Sequence, residues 1–126
     1  MIGKIFFTTL ILFFSTAAIV LGDGQICVSR QEDGGVMNIR PAEITANGKH
    51  ILWINGGENK CIDMQPGQYT IVAQSSDPYD PHDDKPDTWK SKPLLVNVKN
   101  DKKVNIDVSP ISSKEGYTGP WRLKEQ

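Results

Sequence analysis

Short runs in which hydrophobic and polar residues alternate make up most of the chain after residue 22. A period of two is typical of strands with one buried and one exposed face, and no long window follows the helical period. Glycine, proline, asparagine and aspartate separate the runs, as expected of turns. The pattern predicts strands at 25–29, 37–39, 43–46, 49–55, 60–64, 69–74, 94–99 and 104–108.

The connections between these runs carry recognisable turn chemistry. Asn47-Gly48 is a strong hairpin signal, because both central residues of a type I′ turn need positive φ. Pro66-Gly67 suits a type II turn, since proline presets its own φ and glycine accepts the positive φ that follows. Residues 55–59 and 100–103 are expected to form two further turns.

The alternation also predicts which side chains are buried. The runs 94–99 and 104–108 each have one apolar and one polar face, which predicts a final antiparallel hairpin on a half-exposed sheet. The run 50–54 is apolar on both faces, which predicts an interior strand. Many short strands in one domain favour an all-β fold, a small antiparallel β-sandwich of about seven strands with one disulfide. A small barrel is the alternative.

An apolar leader precedes the strands. Lys4 is followed by an uncharged run at 5–21 and by the small residue Gly22, which is typical of a secretory signal peptide. The run falls slightly short of the about 20 residues that span a bilayer, so cleavage is favoured over a retained anchor. We expect a signal peptide at 1–22, a β-sandwich domain at 23–109 and a C-terminal tail at 110–126 packed on the domain. This predicts a secreted or periplasmic protein with no membrane contact after cleavage.

Cys27 and Cys61 are the only cysteines. In an oxidising compartment such a pair usually forms a disulfide, and a bridge over this loop length stabilises a fold by roughly 3–4 kcal/mol. Ile26 and Val28 flank Cys27, and Ile62 follows Cys61. If these apolar neighbours face the core, the disulfide lies on the outer side of its sheet.

The charge balance excludes some partners. The net charge of the chain is −1, and it becomes about −2 when the leader with Lys4 is removed. Nucleic-acid binding favours a strongly basic surface, and acidic lipids attract a basic patch. We therefore expect neither nucleic acid nor a lipid surface as a partner.

The acidic loop, residues 77–89, interrupts the strand pattern with aspartates, prolines and aromatic residues. Long loops in compact domains are often functional, and proline with aromatic side chains favours a stiff contact surface. We interpret the loop either as a rigid surface for a basic protein partner or as a solvated segment whose aromatics pack back on the sandwich. The candidate partner-binding residues are Asp77, Tyr79, Asp80, His82, Asp83, Asp84, Asp87 and Trp89.

A metal site in the acidic loop is a third interpretation. Asp80, His82 and Asp84 alternate like the first ligands of a calcium-binding loop. Such a loop also needs a glycine and a glutamate at positions that Lys85 and Ser91 occupy here. The pattern therefore identifies no specific metal ligands, and we expect no cofactor.

The last residues offer a further candidate surface. Tyr117 and Trp121 stand among glycine and proline, where aromatic rings could provide a platform for stacking carbohydrate. The alternative is a tail that wraps the domain and buries its tryptophan. Exposure of a flat ring separates these two interpretations.

The residues needed for catalysis are not arranged in any recognised motif. His50 and His82 are the only histidines, both cysteines are expected to be oxidised, and no serine stands in a nucleophile motif. No glycine-rich loop precedes a helix, so a phosphate cradle is not predicted. We therefore expect that the protein is not an enzyme.

Residues 61–73, CIDMQPGQYTIVA, resemble the strand–Pro-Gly–strand signature of PEGA-type and carboxypeptidase-regulatory-like domains, which are small prealbumin-like β-sandwiches. The Asn47-Gly48 turn and the predicted hairpin at 94–108 are placed as in such domains. The resemblance implies a sandwich fold and a non-catalytic role. It supplies no catalytic residues, and the cysteine pair is not part of the family pattern.

These observations favour a small secreted or periplasmic binding protein without catalysis, acting as an inhibitor, an immunity-type protein or an envelope adaptor through the acidic loop. A carbohydrate- or peptidoglycan-binding module that uses exposed aromatics is one alternative, and a metal-binding protein is another.

Overall fold

The computed structural model describes residues 22–31, 40–78, 80–113 and 116–126, and the side chains of residues 112–119 lie outside this description. The described part of the chain contains strands and turns, and no helix in it is long and apolar enough to cross a membrane. Its nine strands are β1 (Gly24–Arg30), β2 (Ala42–Ala46), β3 (Lys49–Ile54), β4 (Asn59–Met64), β5 (Gly67–Ser75), β6 (Trp89–Lys90), β7 (Leu94–Val98), β8 (Lys103–Ser113) and β9 (Gly116–Glu125).

The strands form two sheets. The four-stranded sheet has the order β4-β1-β8-β9, and the five-stranded sheet has the order β3-β2-β5, with β6 and β7 both paired to β5. Neighbouring strands run antiparallel except β1 and β8, which are parallel. The predicted all-β sandwich with one disulfide is confirmed, with two more strands than expected and one parallel pair among them.

The hydrophobic core lies between the two sheets. Each strand contributes alternate residues to it, so the apolar face of one sheet covers that of the other. Two tryptophans, Trp89 and Trp121, complete the core near the acidic loop. The aliphatic members are Ile26, Val28, Ala42, Ile44, Ala46, Leu52, Ile54, Ile71, Ala73, Val96, Val98, Val104, Ile106 and Val108.

The disulfide between Cys27 and Cys61 lies outside this core, as predicted. The two cysteines are direct partners in the antiparallel register of β1 and β4. Ile26 and Val28, on either side of Cys27, are fully buried between the sheets. Because neighbouring residues of a strand point to opposite faces, the sulfur atoms lie on the outer face of the four-stranded sheet.

The prediction of an interior strand at 50–54 is wrong. β3 pairs with β2 alone within the described residues, so it forms an edge of the five-stranded sheet. The register shifts near Ile44 and Thr45, which leaves Ile51 as the extra residue of a bulge. Ile51 therefore packs against the core together with Leu52 and Ile54, and Trp53 is the apolar residue of the run that lies on the exposed face.

The predicted final hairpin at 94–108 is also wrong in its pairing. Its two strands exist and bury the predicted faces, but β7 belongs to the five-stranded sheet and β8 to the four-stranded sheet. β8 instead forms a hairpin with β9. The division at residue 109 therefore falls inside β8, and the segment that was expected to pack on the domain as a tail supplies an edge strand.

The turn at Asn47-Gly48 agrees with the prediction from the sequence, and the turn at Pro66-Gly67 differs from it. Asn47 and Gly48 have φ angles of 52° and 81° and close the β2–β3 hairpin, as predicted. Gly67 has a φ of 154°, well above the about 80° of a type II turn, and it stands where the chain crosses from one sheet to the other. The leader at 1–21 and the predicted strand at 37–39 lie outside the described residues.

Candidate functional site: the acidic loop and the adjacent sheet face

The carboxylate of Asp83 holds the acidic loop together by bonding to its backbone. The carboxylate accepts hydrogen bonds from the backbone N–H groups of Asp77, at 2.8 Å, and Lys85, at 3.1 Å. The bond from Asp77 is the main reason that the pKa of Asp83 is lowered to about 2, with further contributions from Thr88 and Lys85. The residue therefore joins both ends of the loop segment 77–85 as a charged acceptor.

Arg40 attaches the loop to the sheet. It precedes β2, and its guanidinium donates to the carbonyl oxygens of Asp80 and Asp83, both at 3.0 Å. On the other side, the Ser76 hydroxyl donates to the carbonyl of Lys85 at 2.7 Å. Side chains thus satisfy the loop backbone where no strand partner is available, which fixes its shape.

Seven of the eight predicted loop residues have described side chains, and they separate into three groups; the side chain of Tyr79 lies outside the description. Asp83 and Asp77 are half-buried, and Trp89 is buried in the core, so the prediction that Trp89 contacts a partner is wrong. The remaining residues, Asp80, His82, Asp84 and Asp87, are exposed.

The exposed loop residues do not converge on one point. In the part of the chain that the structure describes, no group of three or more His, Cys, Asp or Glu side chains is placed to hold a metal ion. Asp80 instead accepts a bond from the backbone N–H of His82 at 2.9 Å, and Asp83 is occupied by backbone donors. The alternation of Asp80, His82 and Asp84 therefore forms a turn here.

The outer face of the five-stranded sheet continues the loop surface. Trp53 on β3 is 48% exposed, and its register partner on β2 is Glu43. Glu43 accepts hydrogen bonds from Gln74, at 3.0 Å, and is 2.9 Å from Nδ1 of His50. The His50 and Trp53 rings are 5.3 Å apart. An exposed indole thus stands beside a carboxylate and an imidazole, and the same carboxylate also holds the amide of Gln74.

A cleft of about 210 Å³ joins the sheet face to the acidic loop. Trp53 and Glu43 line it from the sheet, and Asp84 and Pro86 line it from the loop. We call this the Trp53 cleft. It offers a flat aromatic surface and two carboxylates to a ligand. Its remaining lining residues are Arg40, Pro41, Ser75 and Ser76.

Two of the aromatic residues singled out in the sequence are packed inside the protein. Trp121 is 1% exposed and Trp89 is 6% exposed, and their rings meet edge to face at 5.3 Å. Trp121 also donates its indole N–H to the Ser75 hydroxyl at 2.9 Å. The proposed carbohydrate platform is therefore wrong for Trp121, because a stacking platform needs an open face. The side chain of Tyr117 lies outside the described residues.

Sequence reasoning missed Trp53, Glu43 and Gln74 as parts of a site. They are distant along the chain and meet only because β2 lies between β3 and β5. The local signal for this site is the tryptophan inside the run 49–55. The prediction of an interior strand hides this signal, because an interior strand would bury Trp53.

The chain matches no protein-family model, no curated protein and no solved structure. The resemblance to PEGA-type domains thus stays a prediction.

Proposed function

We propose that this protein is an extracytoplasmic binding protein that recognises a basic protein partner through the acidic loop and the Trp53 cleft, without catalysis. One observation carries the proposal: an internally braced acidic loop lies beside an exposed tryptophan, with a cleft between them.

The compartment is supported by two features. The leader has the pattern of a signal peptide. The disulfide between Cys27 and Cys61 is of the kind that persists in oxidising compartments. A binding protein in the envelope or the medium meets its partner outside the cytoplasm.

The loop is suited to binding because it is ordered by its own contacts. Asp83 and Arg40 hold the backbone from two sides. A surface that is ordered before binding loses less conformational entropy when the partner docks. Three exposed carboxylates, those of Asp80, Asp84 and Asp87, then attract an oppositely charged partner and speed its encounter.

Trp53 supplies the anchor that the acidic residues lack. Tryptophan is among the residues that contribute most to protein interfaces, because one rigid ring buries a large area. Its exposed face can also stack against an arginine or lysine of the partner. Glu43 and Asp84 stand on opposite walls of the same cleft and can pair with that cation.

The proposal is tested by affinity capture from the native envelope, followed by titration of the captured partner once it is purified. The loop variant replaces Asp80, Asp84 and Asp87 with asparagine, and the anchor variant is Trp53→Ala. A matched control replaces Asp63, Asp101 and Asp107 with asparagine, which removes the same charge elsewhere.

We expect the loop and anchor variants to bind the purified partner at least tenfold more weakly, and the control to bind like the wild type. The affinity of the wild type should fall as salt is raised. Equal affinity of all four proteins, or a partner that is acidic, would contradict the proposal.

Carbohydrate binding is the second candidate, and the exposed Trp53 ring favours it. The carboxylate of Glu43 is the register neighbour of Trp53 and holds the amide of Gln74 on the next strand, and these two groups could accept and donate hydrogen bonds to hydroxyl groups. Titration with soluble peptidoglycan fragments, followed by tryptophan fluorescence, tests this. Binding that Trp53→Ala abolishes, and that the loop variant leaves intact, would support carbohydrate over protein. No change in fluorescence in the wild type would remove this candidate.

A further inference from the structure

We propose that the open edge of β7, with the groove beside it, binds an extended acidic and apolar segment of a partner protein as an added strand. This surface is separate from the acidic loop and the Trp53 cleft, and the proposal does not depend on the function proposed above. It rests on the hydrogen-bonding direction of β7, the lining of the groove and the charges at its rim.

Within the described residues, the backbone of β7 presents unpaired groups at its outer edge. The backbone of Thr70 on β5 bonds to Asn47, which directly follows β2. The backbone of Ala73 on β5 bonds instead to Ser91, which follows β6 on the opposite side of β5. Backbone groups alternate in direction along a strand, so Tyr69 and Ile71 also point away from β2, towards β7. At this position β5 therefore forms its hydrogen bonds with every second residue of β7.

The register then identifies the free groups of β7. Tyr69 is opposite Val96, and Ile71 is opposite Leu94, so these β7 residues bond to β5. The N–H and C=O groups of Leu95 and Asn97 point to the other side. Among the strands that the structure describes, β7 pairs with β5 alone. The edge can thus accept an added strand.

A groove of about 250 Å³ lies between the two sheets at the beginning of this edge, next to Leu94. We call it the β7 groove. Leu94 on β7 and Leu123 on β9 form opposite walls, and Ile111, which is 38% exposed, adds a third apolar side chain. Leu95 on the outer face of β7 is 60% exposed. The remaining lining residues are Lys92, Pro93, Pro120, Trp121 and Arg122.

The geometry determines what an occupant must look like. Side chains of a strand alternate between two faces, so the inward side chains of an added strand would enter the β7 groove at the Leu94 end, and the outward ones would lie beside Leu95. The groove walls are aliphatic, which selects apolar side chains for the inward positions. An extended segment with alternating apolar residues satisfies both conditions.

The charge at the rim selects acidic residues at the remaining positions. Lys92 and Arg122 line the β7 groove, and Lys90 is exposed on the neighbouring strand β6. This basic rim contrasts with the acidic loop at the other surface. Pairing of two identical edges would bring two basic rims together, and this repulsion favours an acidic segment of a different protein over a second copy as the occupant.

The test uses protein purified from cells that express the full chain, labelled with ¹⁵N, and a blocked synthetic peptide in which valine alternates with glutamate. Backbone amides are followed by NMR, and hydrogen exchange is measured with and without the peptide. A peptide in which lysine replaces glutamate is the charge control.

We expect the acidic peptide to shift the amides of Leu95 and Asn97 and to slow their exchange at least tenfold, with no effect at the acidic loop. Leu95→Pro removes the outward N–H and should abolish this binding, whereas Leu95→Thr keeps the N–H and should retain it. Lys92→Glu combined with Arg122→Glu changes only exposed side chains, and it should weaken binding of the acidic peptide tenfold or more and favour the basic one.

Three results would overturn the proposal: no response of Leu95 and Asn97 at millimolar acidic peptide, equal binding of both peptides to the wild type, or binding that the double charge variant leaves unchanged. A concentration-dependent dimer in sedimentation, lost in Leu95→Pro, would also overturn it by showing that a second copy occupies the edge. The variant of Asp80, Asp84 and Asp87 should bind the peptide normally, so the outcome is independent of the acidic-loop experiment.

Discussion

The guanidinium carbon of Arg30 lies 4.6 Å from the centre of the Trp121 ring, within the core of the sandwich. Arg30 is 2% exposed and donates from Nη1 to the carbonyl oxygens of Arg40 and Ile54, both at 3.0 Å. Arg40 in turn holds the backbone of Asp80 and Asp83. A continuous set of contacts therefore leads from a buried cation to the exposed acidic loop.

Replacing Arg30 tests the value of this cation for stability. Arg30→Met retains much of the volume but leaves the buried carbonyl of Ile54 and the partly buried carbonyl of Arg40 without their donor, so the free energy of unfolding should fall by about 2–4 kcal/mol. Arg30→Lys keeps the charge but loses the planar group that stacks on Trp121, and it should also be destabilised. Urea denaturation measures both, with Arg122→Met as a control on an exposed arginine. A stable Arg30→Met protein would show that hydrophobic packing can replace the cation.

Asp83→Asn should loosen the acidic loop while leaving the sandwich folded. The amide keeps the size of the side chain but loses the negative charge that accepts from Asp77 and Lys85. Hydrogen exchange of these two backbone N–H groups should become at least several-fold faster. Asp84→Asn is the matched control, because it removes one charge from an exposed neighbour. Equal exchange in both variants would mean that Asp83 does not order the loop.

Acid should weaken the same contacts in a defined range. The pKa of Asp83 is lowered from 3.8 to about 2 in the folded protein, so between these values the unfolded chain binds more protons. The stabilisation by Asp83 is therefore complete above about pH 4, and it is lost as the pH falls towards 2. NMR titration of the carboxyl group and urea denaturation at several pH values measure this. The stability of Asp83→Asn should depend less on pH in this interval, and an unchanged dependence would contradict the assignment.

Removal of the disulfide should destabilise the domain without altering the binding surfaces. The bridge closes a separation of 34 residues, for which loss of the cross-link costs roughly 3–4 kcal/mol. The double variant Cys27→Ala with Cys61→Ala should show this loss in urea denaturation. It should bind the partner and the acidic peptide like the wild type at low temperature, because the sulfurs lie on the outer face of β1 and β4, and neither cysteine lines the Trp53 cleft or the β7 groove. Reductant should destabilise the wild type and have no effect on the double variant.

Two glycines should resist substitution for different reasons. A Cβ added at Gly48 would meet nothing within 4 Å, but the φ of +81° is strained for alanine, so Gly48→Ala should cost about 1 kcal/mol. A Cβ added at Gly24 would overlap the carbonyl oxygen of Lys99 and lie 2.6 Å from Cγ1 of Val98, so Gly24→Ala should cost roughly 2–3 kcal/mol. Thermal denaturation measures both. Gly48→Asn, which tolerates positive φ, should be milder than Gly48→Ala.

The sequence alone predicted those parts of the fold that depend on neighbours along the chain. Alternation identified seven of the strands within the described residues, and turn chemistry identified the bend at Asn47-Gly48. The outward placement of Cys27 followed from the apolar residues on either side of it. Each of these features arises from one strand or one turn, where a period of two or a preferred φ is sufficient.

The features missed in the sequence are those in which local preference is weak. β6 has two residues, and β9 contains Gly119-Pro120, so neither shows a strand pattern. β9 is held by its pairing with β8 and by burial of Trp121. Ser91 lies between β6 and β7 and continues the contact with β5. Its N–H donates to the carbonyl of Ala73, and its hydroxyl accepts a hydrogen bond from the N–H of Ala73. Tertiary contacts therefore hold these segments as strands, although their local sequence does not favour a strand.

The sequence by itself thus determined the positions of seven of the nine described strands and the disulfide partners, and it predicted the compartment and the acidic loop as a candidate surface. Only the tertiary structure decided that β3 is an edge strand, that Trp53 is exposed while Trp121 is buried, and that Asp83 holds the loop together. The physical reason is that exposure depends on which strands become neighbours. That choice is made by long-range packing of two sheets, and a local alternation of polar and apolar residues does not encode it.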